Sequence, residues 1–408
     1  MNILLISNNF PPEVNALATR SYEHARIWAQ NGGNVEVITD NPNYPEGKIY
    51  TGYSNVYTYE RVDKIKVHRV PMYIAENKGT IKRILSYVSF MVSAVWYSRK
   101  LTSKPAVILA SSPQIFSALA GLLISRWKKI PFILEIRDLW PESIVAVGAM
   151  KRNAIIRFFE KIEMLLYKKA QHIVVVTEAF RQAIIDKGIE PDKISVLKNG
   201  VDLKFFSTSP DKEKLKKIEL KHGLGGKFVV SYMGTIGMAH KVDILFEAAR
   251  RSNNDAIVYL VIGTGAEQDT IKRLQEKYAL PNFFLIDKQP KELMPYYLSL
   301  TDVFIVHLKD VPLFRTVIPS KIFEAMAMKK PLVAGVEGET RTIIEKSGAG
   351  IPVRPENPDE MNKAIEQLYQ DKDLYRTMAS NGYEYVVNHH VREELAERYW
   401  KLLISQRN

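Results

Sequence analysis

The chain of 408 residues is longer than one hydrophobic core usually organises, and 46% apolar with 25% charged residues is typical of a folded protein. We therefore expect two domains. The chain contains no cysteine, which excludes disulfides, thiolate metal sites and a cysteine nucleophile. The formal net charge of +12 predicts attraction to nucleic acid, an anionic membrane surface or phosphorylated small molecules.

The N-terminal residues 1–7 lack a basic n-region, an adequate apolar h-region and a small-residue cleavage site. They predict a first β-strand rather than a signal peptide, so we expect the protein to stay where it is made. The basic residues crowd one stretch of the first half, with few acids between them: Lys78, Lys82, Arg83, Arg99, Lys100, Lys104, Arg126, Lys128, Lys129, Lys151, Arg152, Arg157, Lys161, Lys168 and Lys169.

Short apolar runs alternate with helical periods in the first half, starting with a strand at 3–6, a helix at 18–30 and a strand at 35–39. Further runs, rich in β-formers and bounded by polar residues or proline, predict buried parallel strands at 107–110, 132–136 and 173–176. The first half is therefore predicted to be a doubly wound α/β domain.

The alternation of strands and helices starts again after a lysine-rich segment at 211–222, which we interpret as a linker. Later strands are predicted at 228–232, 259–262, 283–286, 303–306 and 332–334. The sequence thus predicts two Rossmann-like domains that face a ligand-binding cleft, with an N-terminal domain at 1–205 and a C-terminal domain at 206–390. The segment 391–408 predicts an amphipathic helix that crosses back to the first domain.

Two glycine pairs follow predicted strands of the second half: Gly234 and Gly237, then Gly263 and Gly265. Glycines between a strand and a helix allow backbone N–H groups to face a phosphate at the helix N-terminus. Tight turns that require positive φ explain each pair equally well. His240 and Lys241 beside the first pair favour the phosphate interpretation.

A more specific pattern lies at 317–331. If Ser320 is an N-cap, the capping-box position is Phe323, so capping does not explain Glu324. Only Lys321, three residues earlier, can pair with Glu324 along the helix. We expect the carboxylate of Glu324 to bind sugar hydroxyls and Lys321 to neutralise a diphosphate leaving group.

Charged residues also follow a predicted strand of the first half, where Arg137, Asp138 and Glu142 surround a proline. Catalysis or acceptor binding and a purely structural ion-pair cluster are equally compatible with them. Arg20, predicted to open the first helix, marks a second place for an acceptor phosphate.

The segment 84–97 is apolar with basic residues on both sides, but it is shorter than the ~20 residues needed to span a bilayer. Its serines and aromatics favour an interfacial helix on anionic lipid, and a buried core helix is the alternative. Asp371 and Asp373 form the only Asp-x-Asp pattern, which we interpret as solvated surface rather than a metal site.

The chain resembles a known family through motifs spread over nearly its whole length. They are Asn9-Phe10-Pro11-Pro12-Glu13, Asp138-Leu139-Trp140-Pro141-Glu142, Val175-Val176-Thr177-Glu178, Lys198-Asn199-Gly200-Val201-Asp202, Tyr232-Met233-Gly234-Thr235-Ile236-Gly237-Met238 and Pro319-Ser320-Lys321 with Glu324-Ala325-Met326-Ala327. In this order and spacing they resemble the retaining glycosyltransferases of family 4, and within them the WbuB-like bacterial enzymes that include L-fucosamine transferases.

The resemblance implies a GT-B fold, a UDP-sugar donor, a metal-independent active site and retention of anomeric configuration. The subgroup implies transfer of an N-acetylated 6-deoxy amino sugar, such as N-acetyl-L-fucosamine, to an undecaprenyl-diphosphate-linked saccharide of an O antigen or capsule. Such an enzyme is expected in the cytoplasm, peripherally attached to the inner face of the cytoplasmic membrane and without nucleic acid as a partner.

The family's Glu-x7-Glu motif is only half present, because its second glutamate corresponds to Glu324 and its first to Thr316. Thr235 and His240 stand where relatives place an arginine and a lysine on the diphosphate, and Lys241, Arg315 and Lys321 are the available substitutes. The expected catalytic residues are Lys321, Glu324, Asp138 and Arg137. The expected donor site comprises Gly234, Thr235, Gly237, His240, Lys241, Gly263, Gly265, Arg315, Thr316, Ser320, Lys321 and Glu324.

Two other functions compete with this one. A UDP-sugar 2-epimerase of the same architecture would convert its donor without an acceptor. A basic nucleic-acid-binding module would explain the net charge, but it usually displays stacking aromatics that the basic stretch of this chain does not show.

Overall fold

The structure is a computed structural model that describes residues 1–44, 46–75, 80–112, 114–148, 150–207 and 210–406. Lys78, one of the basic residues named above, lies outside the described residues. The chain divides into two compact units. Unit 1 comprises Met1–Lys198 and the residues from Glu393 onward, and unit 2 comprises Asn199–Arg392.

The strands and helices alternate along most of the chain. The strands are β1 Asn2–Ile6, β2 Asn34–Asp40, β3 Thr58–Val62, β4 Ile65–Val70, β5 Val107–Ser111, β6 Phe132–Ile136, β7 His172–Val175, β8 Ile194–Val196, β9 Phe228–Met233, β10 Ile257–Ile262, β11 Phe283–Ile286, β12 Val303–His307, β13 Leu332–Gly335 and β14 Gly350–Val353. The helices are α1 Ala16–Gln30, α2 Thr80–Tyr97, α3 Ile115–Lys128, α4 Glu142–Ala146, α5 Ala154–Lys169, α6 Glu178–Asp186, α7 Leu203–Ser207, α8 Lys212–Lys221, α9 Asp243–Arg251, α10 Gln268–Tyr278, α11 Met294–Leu300, α12 Lys321–Ala327, α13 Glu339–Ser347, α14 Pro358–Gln370, α15 Lys372–His389 and α16 Arg392–Ser405.

The sheet of unit 1 has the strand order β3-β4-β2-β1-β5-β6-β7-β8. Its pairs are parallel except for β3, which runs antiparallel to β4 with Thr58 opposite Arg69. The sequence analysis missed this edge hairpin because β3 is short and partly exposed throughout, so it lacks the apolar run of a central strand. Asp63, with φ of 53°, forms its tight turn.

The C-terminal helix α16 packs in unit 1, which confirms the predicted return of the chain. The indole N–H of Trp28 on α1 donates to the Ala396 carbonyl at 3.0 Å. The Tyr399 ring lies edge-on to Trp28 with centroids 5.2 Å apart, and both side chains are buried. Apolar burial of this kind is what holds an amphipathic terminal helix in place.

The sheet of unit 2 has the strand order β11-β10-β9-β12-β13-β14, and its pairs are parallel. Val230, Val261, Ile305 and Val333 of its central strands are buried in one core cluster. The carboxyl ends of β9, β10, β12 and β13 lead into the polar and glycine-rich turns, which is where α/β sheets place ligand sites. The lysine-rich segment interpreted as a linker forms helix α8.

Helix α2 covers the segment for which an interfacial helix and a buried core helix were the alternatives. Phe90 and Ala94 on one face are fully buried, whereas Leu85, Val92 and Trp96 are more than half exposed. The helix therefore packs one apolar face inside the protein and leaves apolar side chains exposed on another face. In the part of the chain that the structure describes, no helix is long and apolar enough to cross a membrane.

Candidate functional site

The two glycine turns of unit 2 pack directly against each other. Gly234 has φ of 138° and Gly263 has φ of 155°, conformations that favour glycine. A Cβ on Gly263 would lie 1.8 Å from the Gly234 carbonyl oxygen, and one on Gly265 would lie 2.3 Å from the Ile236 carbonyl oxygen. Both glycines of the second pair are therefore required for this close approach of backbones.

The N–H groups of these turns are largely used inside the protein. Gly234 donates to the Ile262 carbonyl at 2.9 Å and Gly263 donates to the Ile286 carbonyl at 3.0 Å. The expectation that these glycine N–H groups face a phosphate is thus wrong for Gly234 and Gly263. Their contribution is shape, because the turns leave room for another side chain beside Gly234.

That side chain is Lys321, the first residue of α12. Its ammonium nitrogen lies 3.8 Å from the centroid of the Tyr232 ring, and a Cβ on Gly234 would lie 2.9 Å from it. The nitrogen is buried and makes no hydrogen bond to any residue that the structure describes. Burial lowers the pKa of Lys321 to about 7, and the negative charge of Glu324 acts in the opposite direction.

An ammonium group in this position is costly unless an anion or an acceptor reaches it. The aromatic face of Tyr232 compensates only partly, since a cation over a ring gains about 0.5–2 kcal/mol. The arrangement therefore suits a binding site in which a negatively charged ligand completes the surroundings of Lys321.

Glu324 lies one helical turn after Lys321 and is partly buried. Ser320 occupies the N-cap position by its backbone, but its side chain makes no capping hydrogen bond in the described part of the chain. The buried face of α12 consists of Ile322, Phe323, Ala325, Met326 and Ala327. Glu324 is therefore a carboxylate at the edge of an apolar helix face, next to the Lys321 site.

A pair of histidines borders the same site. His240 Nδ1 donates to the His307 carbonyl at 3.3 Å, and His307 Nδ1 donates to the His240 carbonyl at 2.9 Å. His307 Nε2 accepts from the backbone N–H of Glu356 at 2.8 Å, which assigns its proton to Nδ1. Burial, followed by the charge of Lys321, lowers the pKa of His240 to about 3. His240 is therefore neutral and supplies no positive charge for a diphosphate.

The other candidate donor residues have partners within unit 2. Lys241 lies 3.5 Å from the carboxylates of both Asp243 and Glu356. Arg315 lies 3.2 Å from Asp310, and both side chains are about half exposed.

Thr316, at the position of the missing glutamate, donates its hydroxyl to the Leu313 carbonyl at 2.6 Å. A Cβ on Gly338, the residue before α13, would lie 2.0 Å from the Arg315 carbonyl oxygen. The turn that carries Arg315 and Thr316 is thus held closely against Gly338. Because Lys241 and Arg315 are both paired with carboxylates, Lys321 is the strongest candidate for anion binding.

Unit 2 therefore brings together Gly234, His240 and Lys321 from the predicted set. Sequence reasoning missed Tyr232, His307 and Glu356, which surround them. His307 ends β12, so the general rule that ligands bind at the carboxyl ends of parallel strands was the one signal available for it.

In unit 1, the three charged residues after β6 each have a different partner. Arg137 donates to the Ala16 carbonyl at 2.8 Å, and Glu142 lies 2.8 Å from Lys187. Burial raises the pKa of Asp138, which accepts a hydrogen bond from the side chain of Ser143. Each of the three side chains is thus held by at least one contact outside the trio.

Lys187 connects this turn to the helix layer below it. Besides Glu142, it binds the buried Glu163 of α5 at 2.9 Å, and Tyr167 donates to the same carboxylate at 2.5 Å. Asp138, Trp140, Glu163 and Tyr167 also line one small cavity. This network fixes the turn in which Asp138 lies.

Arg20 is not at the start of α1 and does not face a free phosphate position, which corrects the sequence-based expectation. The helix begins at Ala16, and Asn15 caps it by accepting from Ala18. Arg20 lies in the first half of α1, and its buried side chain forms an ion pair with Glu135 at 3.1 Å. Ser111 donates to the other oxygen of Glu135 at 2.7 Å, so the pair is structural.

The described residues contain no group of three or more His, Asp or Glu side chains that could hold a metal ion. Asp371 of the Asp-x-Asp pattern caps α15 and accepts hydrogen bonds from the backbone of Asp373 and Leu374 at 3.1 and 2.8 Å.

Two protein families match this chain, one in each unit. Residues 15–200 match the Glycosyl transferase 4-like domain, and residues 211–385 match Glycosyl transferases group 1. Together the two matches span most of the chain. The chain belongs to the family 4 glycosyltransferases. Both matches are to glycosyl transferases, which does not favour the 2-epimerase alternative.

Individual glycosyltransferases are similar over long stretches at low identity. The chain is 23% identical to the "Putative colanic acid biosynthesis glycosyl transferase WcaI" of Escherichia coli strain K12, covering 90% of this chain and 92% of that protein. It is 25% identical to the "Probable glycosyltransferase WbjE" of Pseudomonas aeruginosa, covering 67% of this chain and 70% of that protein.

Among solved structures, Anabaena HepE in complex with UDP and glucose matches with a TM-score of 0.72 and 16% identity. The match covers 99% of each chain. With the two parallel-sheet units described above, this likeness confirms the predicted GT-B fold.

Proposed function

We propose that this glycosyltransferase takes its sugar from a UDP-sugar donor bound in unit 2, with the donor diphosphate at Lys321. The observation that carries this proposal is the buried ammonium of Lys321, which lies against Gly234 and Tyr232 without a hydrogen-bond partner among the described residues. A diphosphate supplies both the charge and the acceptor atoms that this group lacks. The similar HepE structure contains UDP, which supports the choice of nucleotide.

Catalysis follows from the charge that develops on the leaving group. As the glycosidic bond to the diphosphate breaks, negative charge grows on the phosphate oxygen nearest the sugar. A fixed ammonium in a buried site stabilises this charge more strongly in the transition state than in the bound donor. In this proposal Glu324 binds hydroxyl groups of the donor, and the diphosphate is neutralised by protein side chains without a metal ion.

The stereochemistry and the acceptor side are also proposals. We propose that transfer retains the anomeric configuration, with attack on the same face as the departing diphosphate. Asp138 and Arg137 lie near the acceptor in this account, with Glu142 beside them. The contacts of their turn favour a preorganised site, because Lys187 binds Glu142 and Arg137 donates to the Ala16 carbonyl.

For the substrates, we propose an N-acetylated 6-deoxy amino sugar, such as N-acetyl-L-fucosamine, and an undecaprenyl-diphosphate-linked saccharide as acceptor. The motif resemblance to WbuB-like enzymes supports this choice. The similarity to a relative named for colanic acid biosynthesis supports a place in surface-polysaccharide assembly, such as that of an O antigen or capsule.

Such an acceptor lies in the membrane, so we propose that the enzyme works peripherally at the inner face of the cytoplasmic membrane. The exposed apolar residues of α2 and the basic residues near it support this location.

The test measures sugar transfer from a panel of nucleotide-sugars to a lipid-diphosphate-linked acceptor. Wild-type protein should use a UDP-sugar, and both Lys321→Ala and Glu324→Ala should lower kcat/KM by at least about 100-fold, the effect typical of a lost transition-state contact. Lys346→Ala, which removes an exposed lysine of α13, is the matched control and should leave kcat/KM unchanged. Wild-type rates in both site variants would overturn the site. Donor conversion without acceptor would instead support an epimerase.

A further inference from the structure

Exposed apolar side chains of this chain are concentrated on one part of unit 1. Among the described residues, seventeen large hydrophobic side chains are exposed, and eight of them lie on α2, α3 and α5. Isolated exposed hydrophobic residues are ordinary, whereas a concentration on adjacent elements marks an interaction surface.

On α2 the exposed residues follow one helical stripe. Leu85, Val92 and Trp96 are 53%, 58% and 56% exposed, and their spacings of seven and four residues place them on the same face. The opposite face is buried at Phe90 and Ala94. The outer stripe is thus additional to the face that α2 needs for folding.

The next two helices repeat this pattern. On α3, Leu123 and Trp127 are exposed four residues apart. On α5, Phe158 and Leu165 are exposed seven residues apart, with Ile155 one turn before Phe158. Each helix therefore presents an apolar stripe to solvent although its other face is already packed.

The three helices lie side by side in one layer. Helix α3 contacts both α2 and α5, and the rings of Phe116 on α3 and Phe159 on α5 meet edge-on at 6.0 Å. Their inner faces contact the same sheet: α2 contacts β2 and β4, α3 contacts β5 and β6, and α5 contacts β6. The outer faces consequently form one continuous surface, which we call the three-helix face.

The charge of this face is mainly positive, with Glu160 of α5 the partly exposed acid that pairs with Arg152. No Asp or Glu occurs between Glu76 and Glu135, a stretch that contains all of α2 and α3. Arg99 stacks on the ring of Trp96 at 3.4 Å, and the ammonium of Lys128 lies 5.2 Å from the ring of Trp127. Lys161 and Lys168 are exposed on α5. Aromatic rings beside basic groups are typical of segments that lie at the interface of an anionic bilayer.

We infer that the three-helix face docks on an anionic lipid bilayer, with Trp127 and Phe158 inserted among the lipid headgroups. This inference rests on the membrane location proposed above and extends the contact from α2 to α3 and α5. Apolar stripes supply burial, and the surrounding lysine and arginine side chains supply attraction to anionic headgroups. A partner protein would need acidic residues and an apolar surface that match this face. An anionic bilayer offers negative headgroups and apolar chains across the whole three-helix face.

The test is sedimentation of the full chain with vesicles of phosphatidylcholine alone or mixed with phosphatidylglycerol. We expect binding to the mixed vesicles that weakens with added salt, and little binding to phosphatidylcholine alone. The double variant Trp127→Glu/Phe158→Glu should bind the mixed vesicles about tenfold or more weakly, because it replaces two inserted rings by charges that anionic lipid repels. Leu220→Glu, at a side chain of unit 2 that is 69% exposed, is the matched control and should bind as wild type.

Two further measurements separate the possible failures. Binding of UDP should be the same in wild type and in the double variant, which shows that the variant keeps the donor site of unit 2, and an unchanged unfolding curve shows that unit 1 is folded. Vesicle binding that survives in the double variant would overturn the inference. The inference would also be overturned if wild type formed a dimer that the double variant does not form and neither protein bound vesicles. If UDP binds but vesicles do not, the inference fails while the proposed donor function stands.

Discussion

Two buried cations, Arg20 in unit 1 and Lys321 in unit 2, have opposite surroundings. In unit 1, Arg20 is paired with Glu135 at 3.1 Å and donates to the Leu197 carbonyl at 3.2 Å. In unit 2, Lys321 is buried with an aromatic ring below it and no hydrogen-bond partner among the described residues. A buried charge with partners stabilises the fold, whereas a buried charge without an acceptor lowers stability, and we propose that the donor completes the surroundings of Lys321.

The largest expected effect is the loss of stability when the buried charge of Arg20 is removed. Arg20→Met should lower the free energy of unfolding by about 3–5 kcal/mol, because it leaves the Glu135 carboxylate buried without its cation. Arg152→Met, which breaks an exposed pair with Glu160, is the control and should cost under about 1 kcal/mol. Chemical denaturation measures both. Equal losses would show that the burial of Arg20 has no energetic consequence.

A second effect concerns the turn that shapes the Lys321 site. Gly263→Ala should cost about 2–3 kcal/mol and weaken UDP binding, since the added Cβ would lie 1.8 Å from the Gly234 carbonyl oxygen. Gly188→Ala in unit 1 is the matched control, because Gly188 has φ of 85° but open space around its Cβ position. It should cost only about 1 kcal/mol. Unfolding curves and UDP titrations check the pair, and similar losses would contradict the close packing of the turns.

Removal of the Lys321 charge should change stability in the opposite direction to removal of the Arg20 charge. Lys321→Met should raise the free energy of unfolding of the ligand-free protein by about 1–2 kcal/mol, because it removes a buried ammonium that lacks an acceptor. It should also abolish UDP binding. Lys346→Met removes an exposed lysine and should change stability by under about 0.5 kcal/mol. A destabilised Lys321→Met protein would mean that Lys321 belongs to the framework.

The smallest effect is a pH dependence of donor affinity. Burial lowers the pKa of Lys321 to about 7 in the ligand-free protein, and a bound diphosphate must raise it. Below pH 7 the lysine is charged in both states, so affinity is constant. Above pH 7 binding takes up a proton, and affinity should fall by up to about tenfold per pH unit, or about 1.4 kcal/mol.

Calorimetric titration with a UDP-sugar checks this dependence, because its diphosphate diester does not titrate near pH 7. The affinity of wild type should be flat below pH 7 and fall above it, with proton uptake from the buffer. Lys346→Met should reproduce this profile. An affinity that does not change across pH 7 would contradict the assignment of Lys321 to the diphosphate.

Much of the fold could be predicted because strand and helix signals are local. The apolar run of β9 and the glycines after it are read directly from neighbouring residues, as is the amphipathic pattern of α16. The β3 hairpin was missed because an edge strand that is half exposed carries no apolar run. Its existence depends on pairing with β4, which the pattern of β3 alone does not specify.

The candidate site was predictable in part for the same reason. Lys321 and Glu324 stand out because both belong to one short motif. The His240–His307 pair joins residues 67 positions apart, and the Arg20–Glu135 pair joins residues 115 positions apart. Such pairs follow from strand order, which local patterns do not encode. The stripes on α3 and α5 were likewise invisible, because only packing decides which apolar residues remain exposed.

The most direct test of the account is a crystal structure of the protein with UDP. We predict that a β-phosphate oxygen lies at about 3 Å from the Lys321 nitrogen, the length of a charge-assisted hydrogen bond, beside the turn at Gly234. A diphosphate bound elsewhere, with Lys321 still lacking an acceptor, would contradict the claim that its buried charge is held for the donor.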